Sequence, residues 1–213
     1  MSNDVPILDL TTAGIKELGK LSAAQAGTRG GVIRLLDELT DTLQLACDLV
    51  SKEMSTTLAE YNELRGGTDR MRGSFLGRVA VRYSEPSLWI LLHEGKVCGQ
   101  LHTLADRFET PFSKEVLTSI PAWEAIATFF TRTNTMSQAL GRLRDGEREY
   151  LRDIARFLDD VRLFAEGHRY DQGPALEKSC DELAGTLRTK RAALQKAVYA
   201  LRHAADDCVA QLH

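Results

Sequence analysis

In the stretch VRLFAEGHRYDQGPALEK, residues 161–178, an arginine and a histidine stand six residues apart, Arg162 and His168. An imidazole exchanges protons near neutral pH, and a guanidinium stabilises negative charge as it builds on a reacting phosphate. The two together can cut RNA, with the histidine relaying the proton of the ribose 2′-hydroxyl and the arginine facing the phosphorane. A plainer reading needs no chemistry. Gly167 suits the position just past a helix end, which leaves His168 in a loop where its charge favours the helix carboxyl terminus.

The segment R-L-F-A-E-G-H, with five residues between Arg162 and His168, resembles the R-x(4–6)-H motif of the HEPN family of all-helical ribonucleases. The resemblance covers these seven residues and the fold class. It implies metal-independent RNA cleavage by Arg162 and His168, in a dimer that brings two copies of the motif together. One departure from the pattern is Leu163, which stands where the family places a polar residue directly after the arginine.

Other residue groups point to weaker chemistry. Arg144, Arg148, Arg152 and Arg156 recur every four residues and line one helix face, as a phosphate-binding ridge would. Beside them run Asp145, Glu149 and Asp153, each three residues before an arginine. Such pairs support a helix and cancel its positive field, so a solvated, self-paired face is expected. His93, Cys98 and His102 are a conceivable metal trio, but zinc spacings of the CxxC or HExxH kind are absent, and no metal or cofactor is expected. Neither GxxxxGK[ST], nor GxGxxG after a strand, nor a GxSxG elbow occurs. Gly73 and Gly77, in GSFLG, offer a step at which two helices can approach closely.

The elements that must position these residues are helices. Val32, Leu36, Leu39, Leu43, Ala46 and Val50 alternate by four and three, the spacing of one stripe on one helix face, and Met54, Leu58, Tyr61 and Leu64 continue it after a phase slip. This long helix is expected over 28–65, with GTRGG at 27–31 as a break before it, Thr28 as its N-cap and Gly66-Gly67 as its stop. A weaker amphipathic helix occupies 1–26, with Leu8, Ile15, Leu18 and Leu21 on its apolar side. The segment 68–109 reads two ways. Leu88, Leu91, Cys98 and Leu101 have helical spacing behind Pro86, while RVAVRY (78–83) and a hairpin turning at HEGK would make a small irregular or β insert around 78–102.

Over 111–167 further helices are expected, first through Trp123, Ile126, Phe130, Thr133, Ser137 and Leu140, then through Tyr150, Ile154, Phe157, Val161 and Phe164. The last helix, 174–212, carries Leu176, Cys180, Leu183 and Leu187, skips across Lys190-Arg191, and resumes at Leu194, Val198, Leu201, Ala205, Cys208 and Leu212. These parts make one all-α domain over 1–213, an elongated antiparallel bundle with long, coiled-coil-like helices.

Composition narrows the function. A net charge of -3 speaks against a protein whose task is to neutralise phosphates, so nucleic acid is not the expected partner. The longest apolar run, LWILL at 88–92, is far short of a membrane span, and the first twenty residues hold only Lys16 and Lys20 as cations. A membrane-surface bundle is therefore a second alternative, after RNA cleavage. Cys47, Cys98, Cys180 and Cys208 lie far apart, three of them on apolar seams, which suits a reducing cytoplasm. By elimination the leading expectation is a non-enzymatic scaffold, adaptor, assembly or regulatory subunit that binds a protein partner or itself. Long seams can continue past one bundle and pair with another chain, so Leu36, Leu43 and Val50, or Leu194, Val198 and Leu201, are the expected interaction residues.

Overall fold

The computed structural model describes residues 8, 9, 12, 13, 15, 16, 26–64, 66–97, 99, 100, 103 and 146–212; for 26–32, 34–36, 146–151, 211 and 212 the backbone alone is described. Five helices are named in chain order: α1 (Ala26–Glu63), α2 (Asp69–Arg82), α3 (Glu85–Glu94), α4 (Gly146–His168) and α5 (Gly173–Leu212). No strand occurs among the described residues. The fold is an all-α bundle.

Two long rods dominate it. At about 1.5 Å per residue, the 38 residues of α1 and the 40 of α5 extend roughly 57 and 60 Å. They run antiparallel. Asp41 meets Arg202, Ser51 meets Arg191, and Tyr61 meets Asp181, so ten residues forward on α1 is ten or eleven back on α5. One register therefore holds for six turns. Leu39, Leu43, Ala46, Cys47, Val50 and Met54 of α1, and Leu183, Leu187, Leu194 and Leu201 of α5, are buried in the common core. α4 folds back against α5, and α2 packs along α4.

The described residues between 78 and 100 form helices and turns, with no β insert among them. In a strand Val79 and Val81 would share a face; on a helix they point about 200° apart. Val79 is fully buried and Val81 is 66% exposed, as the helix requires. Phe75, Leu76 and Tyr83 join Val79 in the core. The HEGK turn does exist, at Gly95 and at Lys96 with φ 60°, but it leads from α3 to Val97, which is again helical and buried.

Two further expectations change. Residues 27–31 do not break the chain: the α1 backbone is helical from Ala26 onward, so glycines 27, 30 and 31 are absorbed. Each costs a helix about 1 kcal/mol relative to alanine, a cost that continuous packing of a long rod can offset. Gly66, with φ +88°, does end α1, in a conformation that residues with a Cβ avoid. The gap at Lys190-Arg191 is also no slip. Leu176, Cys180, Leu183, Leu187, Lys190 and Leu194 are all buried at alternating steps of four and three, so a lysine fills the seam position where no apolar residue stood.

Two residues of the expected N-terminal face, Leu8 and Ile15, are described. Leu8 and Ile15 are fully buried in the common core and Thr12 nearly so. Leu18, Leu21, Arg144, Asp145, and the seam from Trp123 to Leu140 lie outside the described residues. Among the described residues no helix is long and apolar enough to cross a membrane.

Candidate functional site at the turn between α4 and α5

The turn 169–172 joins α4 to α5, and the first turn of α2 docks onto it. Thr68 caps α2 by accepting from the Met71 N–H at 3.4 Å. Asp69, the next residue, turns its carboxylate outward and accepts from the Gly173 N–H at 2.6 Å. That N–H opens α5 and has no partner inside its own helix, so an acid from α2 caps the start of α5. Gly173 has φ +56°, which favours glycine there. Arg72 spans the same junction, 3.5 Å from Asp69 and 3.4 Å from Glu177. Gly73 lets the two parts touch: a Cβ built on it would lie 2.9 Å from the Arg169 carbonyl oxygen. At Gly77 the same Cβ would meet nothing within 4 Å. Of the GSFLG step, only Gly73 makes a close approach.

His168 belongs to this junction. It is the last residue of α4, one position later than the helix end expected at Gly167. Glycine is tolerated there because the helix needs only one more residue before the turn. The imidazole Nδ1 lies 2.9 Å from Asp171 Oδ2, the ring packs on Phe164 at 4.4 Å, and the His168 carbonyl accepts from the Asp171 N–H. Ser179 Oγ donates to the same Asp171 oxygen at 2.9 Å and is also within reach of the Ala175 carbonyl. Hydrogen bonds from His168 first, and Ser179 second, hold the Asp171 carboxyl below its ordinary value. Serine, aspartate and histidine thus meet, but with the aspartate in the middle. A nucleophilic triad needs the histidine between serine and acid. This arrangement closes a helix end.

Arg162 sits elsewhere. Its Nε and Nη2 donate to Asp159 Oδ1 at 3.0 and 2.7 Å, and its Nη1 donates to Glu166 at 3.2 Å. Six residues of helix separate it from His168 by about 9 Å along the axis and about 240° around it. The two side chains end on different carboxylates, and a single chain does not bring them together. Arg162 instead borders an open cleft of about 500 Å³ between α4 and the α2–α3 junction. Arg152, Arg156, Asp159, Glu85 and Tyr83 line it too, while His168 does not. Arg156 keeps its expected acid, Asp153, at 3.8 Å, but Asp153 is buried, so at this position the ladder is not the solvated face expected of it.

A second polar cluster, between α1 and the end of α2, escaped sequence reading. Arg82 reaches Glu53 at 2.8 Å, Glu60 at 2.5 Å and Thr57 Oγ1 at 2.8 Å; Thr57 Oγ1 also meets the Tyr83 hydroxyl at 2.9 Å. Burial pushes the Tyr83 phenol well above its ordinary value, so it stays protonated. These contacts fasten α2 to α1, while the second Glu60 oxygen, Oε2, is buried without a hydrogen bond and lies 3.6 Å from Arg78 Nη2. The cluster's signal was present: Glu53, Thr57 and Glu60 recur at four and three, a polar stripe beside the apolar one.

The expected interaction residues face inward. Leu43, Val50, Leu194 and Leu201 are buried in the chain's own core and Val198 is half-buried; the Leu36 side chain lies outside the described residues. Of the trio His93, Cys98 and His102, only His93 is described, with its ring stacked on Trp89 at 4.7 Å. Cys47, Cys180 and Cys208 are buried. Burial raises the Cys180 thiol to about 11 and the Cys208 thiol in the same direction.

No protein-family model, curated protein or solved structure matches this chain. The HEPN likeness therefore rests on the seven residues from Arg162 to His168 and the helical fold.

Proposed function

We propose that this protein works by binding another polypeptide, as a scaffold, adaptor, assembly or regulatory subunit, and that α3 presents the contact. One observation carries this reading. Pro86, Trp89, Ile90 and His93 follow one another at three, one and three residues, the spacing of a single helix face, and all four are exposed. The opposite face of the same helix buries Leu88 and Leu92. Trp89 is 40% and Ile90 49% exposed, and the Trp89 ring is held by its stack on His93. A helix that offers a tryptophan and an isoleucine to solvent on one face has the composition of an interface anchor. Leu43, Val50, Leu194 and Leu201 are engaged in the chain's own core, which supports placing the contact on α3.

The test compares wild type with the double variant Trp89→Ser, Ile90→Ser. Light scattering reads self-association, and affinity capture from native lysate reads a partner. A dimer or a specific co-purifying protein that is lost in the variant, with helicity by circular dichroism unchanged, supports the proposal. A wild type that is monomeric and captures nothing the variant does not capture would refute it.

A further inference from the structure

We propose that Lys190 is a register lock: a buried cation that fixes how far α5 sits along α4 and α1 and keeps the α5 seam from pairing in any other alignment. The proposal stands independently of the α3 contact. Its basis is where the lysine lies. Buried positions on α5 run Leu176, Cys180, Leu183, Leu187, Lys190, Leu194 and Leu201, so Lys190 occupies a seam slot between leucines. Only 2% of it is exposed. Its ammonium lies 2.9 Å from Asp160 Oδ2 on α4, and 4.6 Å from the centre of the Phe157 ring on the same helix. At the same level Arg191 turns the other way and donates to Ser51 of α1 at 3.3 Å. Two adjacent cations of α5 thus bind two different helices at one height.

Apolar seams are permissive. A leucine moved by one heptad, about 10 Å, meets another apolar residue of the neighbouring stripe and loses little. A buried ammonium is not permissive, because away from a carboxylate it keeps the cost of leaving water and gains nothing in return. Shifting α5 by one heptad, which must also unwind helix beside the four-residue turn 169–172, removes Lys190 from Asp160 and Phe157 and Arg191 from Ser51 in the same movement. A single charged residue at a seam position is the known means by which helix pairs choose one alignment and one partner. With an apolar residue at 190, the α5 stripe would be uninterrupted from Leu176 to Cys208, free to slide or to pair with the same stripe of a second copy.

The experiment reads alignment directly. Nitroxide labels are placed at 52 and 206, through encoded ketone residues that leave the cysteines untouched. Lys52 on α1 and Asp206 on α5 are both exposed, and their offset along the rod makes the separation sensitive to sliding. The full chain is expected to give one distance and one mass by light scattering. Lys190→Leu is expected to stay helical while showing a second distance population, displaced by up to about 10 Å, or a new oligomer. A helical Lys190→Leu protein with the single wild-type distance and the wild-type mass overturns the proposal. If Lys190→Leu loses its helicity, the exchange variant Asp160→Lys, Lys190→Asp decides. Recovery of the single wild-type distance supports the lock, and failure to recover it overturns the lock.

Discussion

Substituting alanine at Gly73 and, separately, at Gly77 should move stability in opposite directions, although the two lie one turn apart on α2. Each substitution gains the same helix propensity, up to about 1 kcal/mol, by removing the freedom of glycine from the unfolded chain. At Gly77 nothing lies within 4 Å of the new methyl, so the gain should appear undiminished. At Gly73 the methyl would sit 2.9 Å from the Arg169 carbonyl, a backbone atom that cannot rotate away. Separating α2 from the turn then strains the Asp69–Gly173 bond and the Arg72–Glu177 pair as well. Overpacking of this kind costs roughly 1–3 kcal/mol. Propensity cancels in the comparison, so Gly77→Ala should exceed Gly73→Ala by about 1–3 kcal/mol. Urea unfolding followed by circular dichroism gives both values. For a chain of this length, about 1 kcal/mol corresponds to a shift of about 2–4 °C in Tm. Equal stabilities, or a more stable Gly73→Ala, would show that α2 does not press on the turn as described.

Two further outcomes follow from the titrating groups. The Asp171 carboxyl is held below its ordinary value near 3.8, so its contribution to stability is full above that pH and fades as pH falls through the lower folded value. The stability difference between wild type and Asp171→Asn, measured by urea unfolding, should therefore be fully present above about pH 4 and narrow between about pH 4 and pH 2; a difference that widened over that acid range would contradict the His168–Asp171–Ser179 arrangement. Cys47, Cys180 and Cys208 are buried, with the Cys180 thiol raised to about 11. At pH 7.5 iodoacetamide should label all three slowly in the native protein and fast in urea, as read by peptide mapping, and rapid native labelling would place them outside the core.

The fold was legible wherever apolar residues alone mark the buried stripe. Leu39, Leu43, Ala46 and Val50 announced α1, and Leu183, Leu187, Leu194 and Leu201 announced α5, because each is buried where its spacing places it. The same method stumbled on Lys190, since a count of apolar residues sees a gap where a charge is buried with its partner. RVAVRY looked like a strand because alternation is ambiguous over six residues; only Val81 in solvent beside buried Val79 decides.

The candidate site was half legible. Asp159, Glu166 and Asp171 sit three or four residues from Arg162 and His168, so those local pairs could have been anticipated from helix geometry. Ser179 on Asp171, and Asp69 on Gly173 at a separation of 104 residues, depend on how the helices fold back. No spacing rule reaches that far.

The pairing of α1 with α5 also sets a timetable for synthesis. α1 ends at Glu63 and its main partner starts at Gly173, roughly 110 residues later. At about 5–20 residues per second, a ribosome leaves the greasy stripe of α1 without its cover for on the order of 5–20 seconds. α4 and α5, joined by a four-residue turn, emerge together and can zip at once. Until α5 has been made, Leu39, Leu43 and Val50, which the folded chain buries, lack the stripe that covers them.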